Sequence, residues 1–347
     1  MPPGRRVRTL IDRHASPFHW REAGLCVPAM PILLISGLAL NQAVYGAVAA
    51  GAAFAVGFGA ARDLRGRRWA AMAAAAVGIC LTTFAGCTLG QWPPALIAVA
   101  AVAAACCAAL ALFDEDVWWV ALQVVIALLI ASYYPSPAPV ALERAAAVLA
   151  GGLTQMLIVM VLARLFPAAG GRLPPGPPKP RPARRLLIGH TVRAAICVAA
   201  ALAAARGFGL SNGYWAPMTA MLVLKPGLSD TQTRGLARLV GTLVGCVGAS
   251  AFALAVGGAR PVLLAAMAVT AGAAYALQKA HYATLTCMIT ATVVLLLTLG
   301  RGDVVLNAEH RLIATVLGGV IALVVARIAP HRPPATLIEG DRVGDAA

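Results

Sequence analysis

Residues 214–248 read YWAPMTAMLVLKPGLSDTQTRGLARLVGTLVGCVG, and this stretch decides what kind of helix bundle the chain builds. Its apolar opening, 214–224, is about 11 residues long, roughly half of what a helix needs to cross a bilayer. It stops at Lys225-Pro226-Gly227, where proline removes a backbone donor and glycine permits a sharp change of direction. The spacing predicts a new helix that opens on a capping box, Ser229 accepting from first-turn amides and Gln232 reaching back. Thr231, Arg234, Arg238 and Thr242 follow at spacings of three and four, so they share one face. The positive end of that helix, Lys225 and two arginines converge at the break, an arrangement suited to an anion. A basic cytoplasmic loop set by topology alone accounts for the same charges equally well.

The composition around this stretch is that of a membrane protein. Hydrophobic residues make up 60% of the chain and charged ones only 12%, far outside the range of a soluble domain. In a soluble chain a formal charge of +15 points to nucleic acid. Here Arg and Lys lie between apolar runs, as in positive-inside loops, and no nucleic-acid partner is expected. Residues 1–22 carry Arg5, Arg6, Arg8, Arg13 and Arg21 with no apolar core, so the expectation is a retained first anchor and no cleaved signal. The 8 cysteines sit inside apolar runs at no metal-ligand spacing and read as small hydrophobes.

Taken in order, the chain predicts an all-α polytopic bundle of about twelve crossings. A cytoplasmic tail, 1–21, leads to a first membrane unit, 22–166, with apolar segments near 22–40, 45–61 and 69–89, a fourth that follows the turn Gln91-Trp92-Pro93-Pro94 and reaches Phe113, and two more near 117–134 and 144–166. Residues 167–185 are proline, glycine and arginine, a cytoplasmic linker. A second unit, 186–329, follows, with segments near 186–205, 214–224, 230–257, 261–278, 282–299 and 311–328; a polar tail, 330–347, reads as disordered. Starting the N-terminus in the cytoplasm puts most basic residues inside, and the tryptophans fall near segment ends where interfacial belts lie.

The units read alike. Arg144 with Gly151-Gly152 answers Arg311 with Gly318-Gly319, and Ala163-Arg164 answers Ala326-Arg327. Asn41-Gln42 to Gly46 answers Ser211-Asn212 to Trp215, and Arg65-Gly66-Arg67-Arg68 answers Arg234-Gly235 to Arg238. An even number of crossings per unit makes the repeats parallel, related by an axis along the membrane normal. Arg65 and Arg68 are then the first unit's counterpart of the basic helix entrance, and both entrances are expected to face a shared hydrated space. Gly241, Gly245 and Gly248 with Ala249 give a face for close helix packing.

The aromatic pair, short helix, proline, Thr-x-x-Arg-Gly and Arg before Gly-Thr-x-x-Gly of residues 214–248 closely resemble the signature of the fusaric acid resistance (FUSC) family of bacterial inner-membrane proteins, which includes the aromatic acid exporters. A looser likeness extends to the plant aluminium-activated malate transporters. The resemblance implies a multi-pass protein of the bacterial inner membrane with both termini cytoplasmic, moving small organic anions outward. Carried over residue by residue, it points to Lys225, Thr231, Arg234 and Arg238. Relatives of the exporter type carry large cytoplasmic domains after each unit, where this chain has a short linker, so a partner such as a periplasmic adaptor, or an oligomer, is left open.

No phosphate loop, dinucleotide fingerprint, metalloprotease motif or nucleophile elbow occurs, and neither an enzyme, a cofactor nor a metal is expected. Three functions compete: an exporter of aromatic or other organic acids driven by the proton gradient, a passive anion channel, and a structural subunit without flux. Proton coupling wants an ionisable group at membrane depth, and Asp230 is the candidate, ahead of Glu309, His190 and His281.

Overall fold

The computed structural model describes residues 19–64, 66–67, 69–167, 181–278, 281–301 and 305–328, and of 301 and 305–308 the backbone alone. Arg65, Arg68, 168–180 and the outer parts of both tails therefore lie outside the described residues. The first half comprises α1 (Trp20–Cys26), α2 (Ala29–Ala39), α3 (Ala43–Gly57), α4 (Ala70–Leu89), α5 (Pro93–Ala111), α6 (Glu115–Ala131) and α7 (Ala138–Leu165). The second comprises α8 (Arg184–Gly207), α9 (Trp215–Val223), α10 (Leu228–Ala255), α11 (Arg260–Ala276), α12 (Tyr282–Arg301) and α13 (Val305–Ile328). A helix, or for the first the α1–α2 pair, stands at each predicted segment. Nine helical stretches among the described residues are long and apolar enough to cross a membrane; α6, α9 and α11 are shorter.

Prolines set several boundaries. Pro28 caps α2 and splits the first segment, because its nitrogen has no proton to continue α1. α7 starts at Ala138, earlier than the apolar pattern indicates, because Pro137 caps it and Pro139 sits in its first turn, where a missing donor costs nothing.

The two halves pair their helices alike. In the first, α3 packs on α7, α4 on α6 and α7, α2 on α3, and α5 on α6. In the second, α9 packs on α13, α10 on α12 and α13, α8 on α9, and α11 on α12. The fourth segment of each half, counting the α1–α2 pair as one, also crosses to the first of the other: α5 lies on α8, and α11 on α1. One hydrophobic core accordingly joins α1–α4 to α10–α12, and another joins α5 and part of α6 to α8, α9 and α13. The cores ignore the boundary at the linker.

Backbone close approach marks the correspondence in atoms. A Cβ at Gly151 of α7 would strike the backbone of Ala49 in α3, and one at Gly318 of α13 would strike that of Ala216 in α9. Gly318 and Ala216 follow Gly151 and Ala49 by the same interval along the chain. That match places Asn212 opposite Tyr45, so the aromatic pair Tyr214-Trp215 falls opposite Ala47-Val48 instead of the residues the sequence comparison aligned. Gly241 and Gly245 likewise face carbonyls of Ala283 and Cys287 in α12, with buried Ala249 continuing the face; Gly248 has nothing nearby and is not part of it.

The turns gather at two ends of the bundle. At one, the Arg62 guanidinium bonds Glu115 (2.9 Å) and Asp116 (3.1 Å), Arg21 donates to the carbonyl of Phe166 (2.6 Å), and the His19 amide to that of Ala276 (2.9 Å). At the other, Gln91 donates to the carbonyl of Ser136 (2.8 Å), Arg206 to that of Ser132 (2.9 Å), and Tyr45 to Glu143 (2.7 Å). Large aliphatic side chains such as Leu236, Leu243, Val244 and Val247 face outward while small residues pack inside, the pattern of a bundle solvated by lipid.

Gly318→Ala forces a methyl into the Ala216 backbone, whereas its neighbour Gly319 has nothing within contact distance. Thermal unfolding in detergent should show Gly318→Ala destabilised by about 1–3 kcal/mol, with Gly319→Ala unchanged.

Candidate functional site

The site begins with a helix that ends early. Pro217 lies in the first turn of α9, where no intrahelical acceptor awaits its nitrogen, and the helix stops at Val223, Leu224 turning extended. Pro226 prevents resumption, and α10 opens at Leu228 with Gly227 as its N-cap. No side chain caps it, so the predicted capping box does not form: the helix starts two residues too early for Ser229, which is exposed in the first turn.

Thr231, fully buried, closes the break instead. Its hydroxyl accepts from the Lys225 amide (3.0 Å) and donates to the carbonyl of Gly227 (2.8 Å). Two arginines take carbonyls that the interruption leaves without amide partners. Arg234 Nε donates to Leu222 (3.0 Å), and Arg193 Nη2, from α8, to Pro226 (3.2 Å).

Arg238, one turn beyond Arg234, is 8% exposed. Its Nε donates to the Thr219 hydroxyl of α9 (3.2 Å) and its Nη1 to the Tyr282 phenol of α12 (3.2 Å). The Tyr282 ring also carries the Arg234 guanidinium, 3.8 Å from its centroid, so two cations share one phenol. Arg311 of α13 is 3% exposed; it stacks on Trp215 at 3.6 Å and donates to the Thr290 hydroxyl (3.0 Å). Arg234, Arg238 and Arg311 form no ion pair with a carboxylate among the described residues.

The structure thus brings together Thr231, Arg234 and Arg238. Lys225 stands slightly apart, its Nζ 5.7 Å from the Trp118 ring beside a cavity of about 30 Å3 that His190, Met221 and Leu222 also line. Asp230 is exposed in the first turn of α10, where a carboxylate suits the helix dipole, and does not enter the bundle. Arg65 and Arg68 lie outside the described residues, and nearby Arg62 is paired with acids. Sequence reasoning missed Arg193, Thr219, Tyr282 and Arg311 as site residues, because each comes from a different helix. The one available signal was Arg311, already matched to Arg144.

Residues 196–325, which hold this whole constellation except Arg193, match the family model for fusaric acid resistance protein-like proteins. Over this stretch the chain is similar to fusaric acid resistance protein-like proteins. That likeness, together with the apolar helices, supports a multi-pass transmembrane protein. No curated protein and no solved structure matches the chain. No group of His, Cys, Asp and Glu among the described residues is gathered to hold a metal ion.

Thr231→Val keeps the shape but removes both hydrogen bonds at the break, and should lower stability by about 1–3 kcal/mol. Ser229→Ala, which the capping box would make costly, should leave the unfolding temperature in place.

Proposed function

We propose that this protein carries organic-acid anions, aromatic carboxylates among them, outward across a bacterial inner membrane. The observation that carries the reading is Arg238: a buried guanidinium held by Thr219 and Tyr282, with no carboxylate partner among the described residues. An unpaired arginine at membrane depth costs about 3 kcal/mol even on the mildest scale, so its retention calls for an anionic guest. Planar guanidinium forks suit carboxylates, and the Tyr282 and Trp215 rings suit an aromatic body. Lys225 and Arg234 supply the positive field at the mouth, with Thr231 holding its shape.

Twelve crossings in two parallel six-helix units complete the proposal. It is supported by the matching helix pairs of the two halves and by side-chain bonds that join turns assigned to the same side. On this reading both termini and the 167–185 linker are cytoplasmic. A cysteine placed in the linker should resist an impermeant reagent in intact cells and react once the membrane is opened; labelling from outside would invert the whole assignment.

A passive anion channel is the second reading, favoured by one observation. Among the described residues no Asp or Glu is buried, and Asp230 is exposed, so a carboxylate proton carrier has no place at depth. Uptake of labelled benzoate into proteoliposomes separates the readings, since a coupled exporter responds to an imposed pH gradient beyond what membrane potential explains. Arg238→Gln, which keeps hydrogen bonding but drops the charge, should cut flux about tenfold or more. Arg234→Ala should lose most flux and Arg234→Lys recover it partly, because lysine cannot supply the planar fork. Undiminished flux in all three would reduce these residues to structural caps.

A further inference from the structure

The site described lies at the end of α9 next to the break, but the arginines do not stop there. Along α9, Arg234 bonds at Leu222, Arg238 at Thr219, and Arg311 stacks at Trp215, steps of three and four residues that set the three contacts about one helical turn apart. The first two guanidiniums are engaged at the break and at Tyr282. Arg311 differs from them. Only its Nη2 has a partner, Thr290; its Nε and Nη1 are buried and make no hydrogen bond. A buried guanidinium with two nitrogens idle is what burial selects against unless something occupies them.

The duplicate half supplies a control within the molecule. Arg144, the counterpart of Arg311, turns into its own loop, where Nη1 donates to the carbonyl of Tyr134 (2.7 Å) and to the hydroxyl of Ser136 (2.9 Å). There the arginine ties down the turn before α7. At the positions that match Trp215 and Thr219 through the paired glycine contacts, the first half has Val48 and Ala52. Only the second half therefore combines a buried arginine, an aromatic wall and a row of buried hydroxyls, Thr219, Thr286, Thr290 and Thr315.

We propose that Arg311 and the Trp215 ring form an anion-binding station at the far end of α9 from the break, which takes the carboxylate of the transported acid on the idle guanidinium nitrogens. The inference rests on the anion-transport reading and extends it: the track runs inside the second half, between α9, α10, α12 and α13, and three cations at turn spacing let an anion be handed from one to the next.

The test uses the full chain purified in detergent, with iodide as the probe at constant ionic strength. An anion held on Arg311 lies against Trp215, so iodide should quench tryptophan fluorescence in a saturable component on top of the linear quenching of exposed Trp20 and Trp92. Acetate or benzoate should compete that component away. Trp215→Phe should abolish it, because the reporting ring is gone, and Arg311→Gln should abolish it with Trp215 still present. Absence of the component in the unmodified protein, or its survival in Arg311→Gln, overturns the proposal. If Arg311→Gln does not fold, Arg311→Lys decides: the half-saturating iodide concentration should rise about tenfold or more, and an unchanged value sinks the station. Benzoate flux through the same preparations keeps the two readings apart. Flux without Arg311-dependent quenching removes the station and leaves transport standing; Arg311-dependent quenching without flux does the reverse.

Discussion

An interrupted helix inside an apolar bundle must find partners for the backbone groups it releases, and much of the second half is arranged around that requirement. α9 ends at Val223 and α10 begins at Leu228, leaving carbonyls and an amide that water would satisfy in a soluble protein. Thr231, Arg193 and Arg234 take them up. Charge at the break is thus partly structural, and a basic residue there is not by that fact a ligand. Arg238 and Arg311 are different in kind. Neither bonds a backbone group, and both are buried against hydroxyls and rings.

The two halves share a packing plan and differ in which polar groups they bury. Close approach at Gly151 and at Gly318 lets α7 touch the backbone of α3 and α13 that of α9, which small residues alone allow. Exchange of α5 and α11 across the middle then fuses the halves into common cores. Within that shared plan the first half is the apolar one. The described arginines that are buried, Arg193, Arg238 and Arg311, all belong to the second half. Polar burial among the described residues is thus concentrated in the second half of the frame.

Much of this was legible without coordinates. Periodicity and composition established a polytopic helical bundle, since a helix in lipid must be apolar over its whole length. Lys225-Pro226-Gly227 announced the break, because proline and glycine act on the local backbone whatever surrounds them. Thr231, Arg234 and Arg238 were found together because helical spacing is itself a local property. The local rules also erred locally: Ser229 has the spacing of a cap, yet Gly227 takes that position and Thr231 reaches back to close the turn.

What the sequence by itself determined is therefore the class of protein, the interruption, and the face of α10 that carries the arginines. Which arginines are buried, and against what, was decided only by tertiary structure. Tyr282 meets Arg238 across 44 positions of chain, and Thr290 meets Arg311 across 21, contacts that exist only once α12 and α13 both pack on α10. Arg144 and Arg311 are indistinguishable as letters in matching motifs. One bonds its own turn and the other enters the core, because the segment before α7 offers a carbonyl and a serine hydroxyl within reach, whereas Arg311 meets a tryptophan ring and a threonine of other helices.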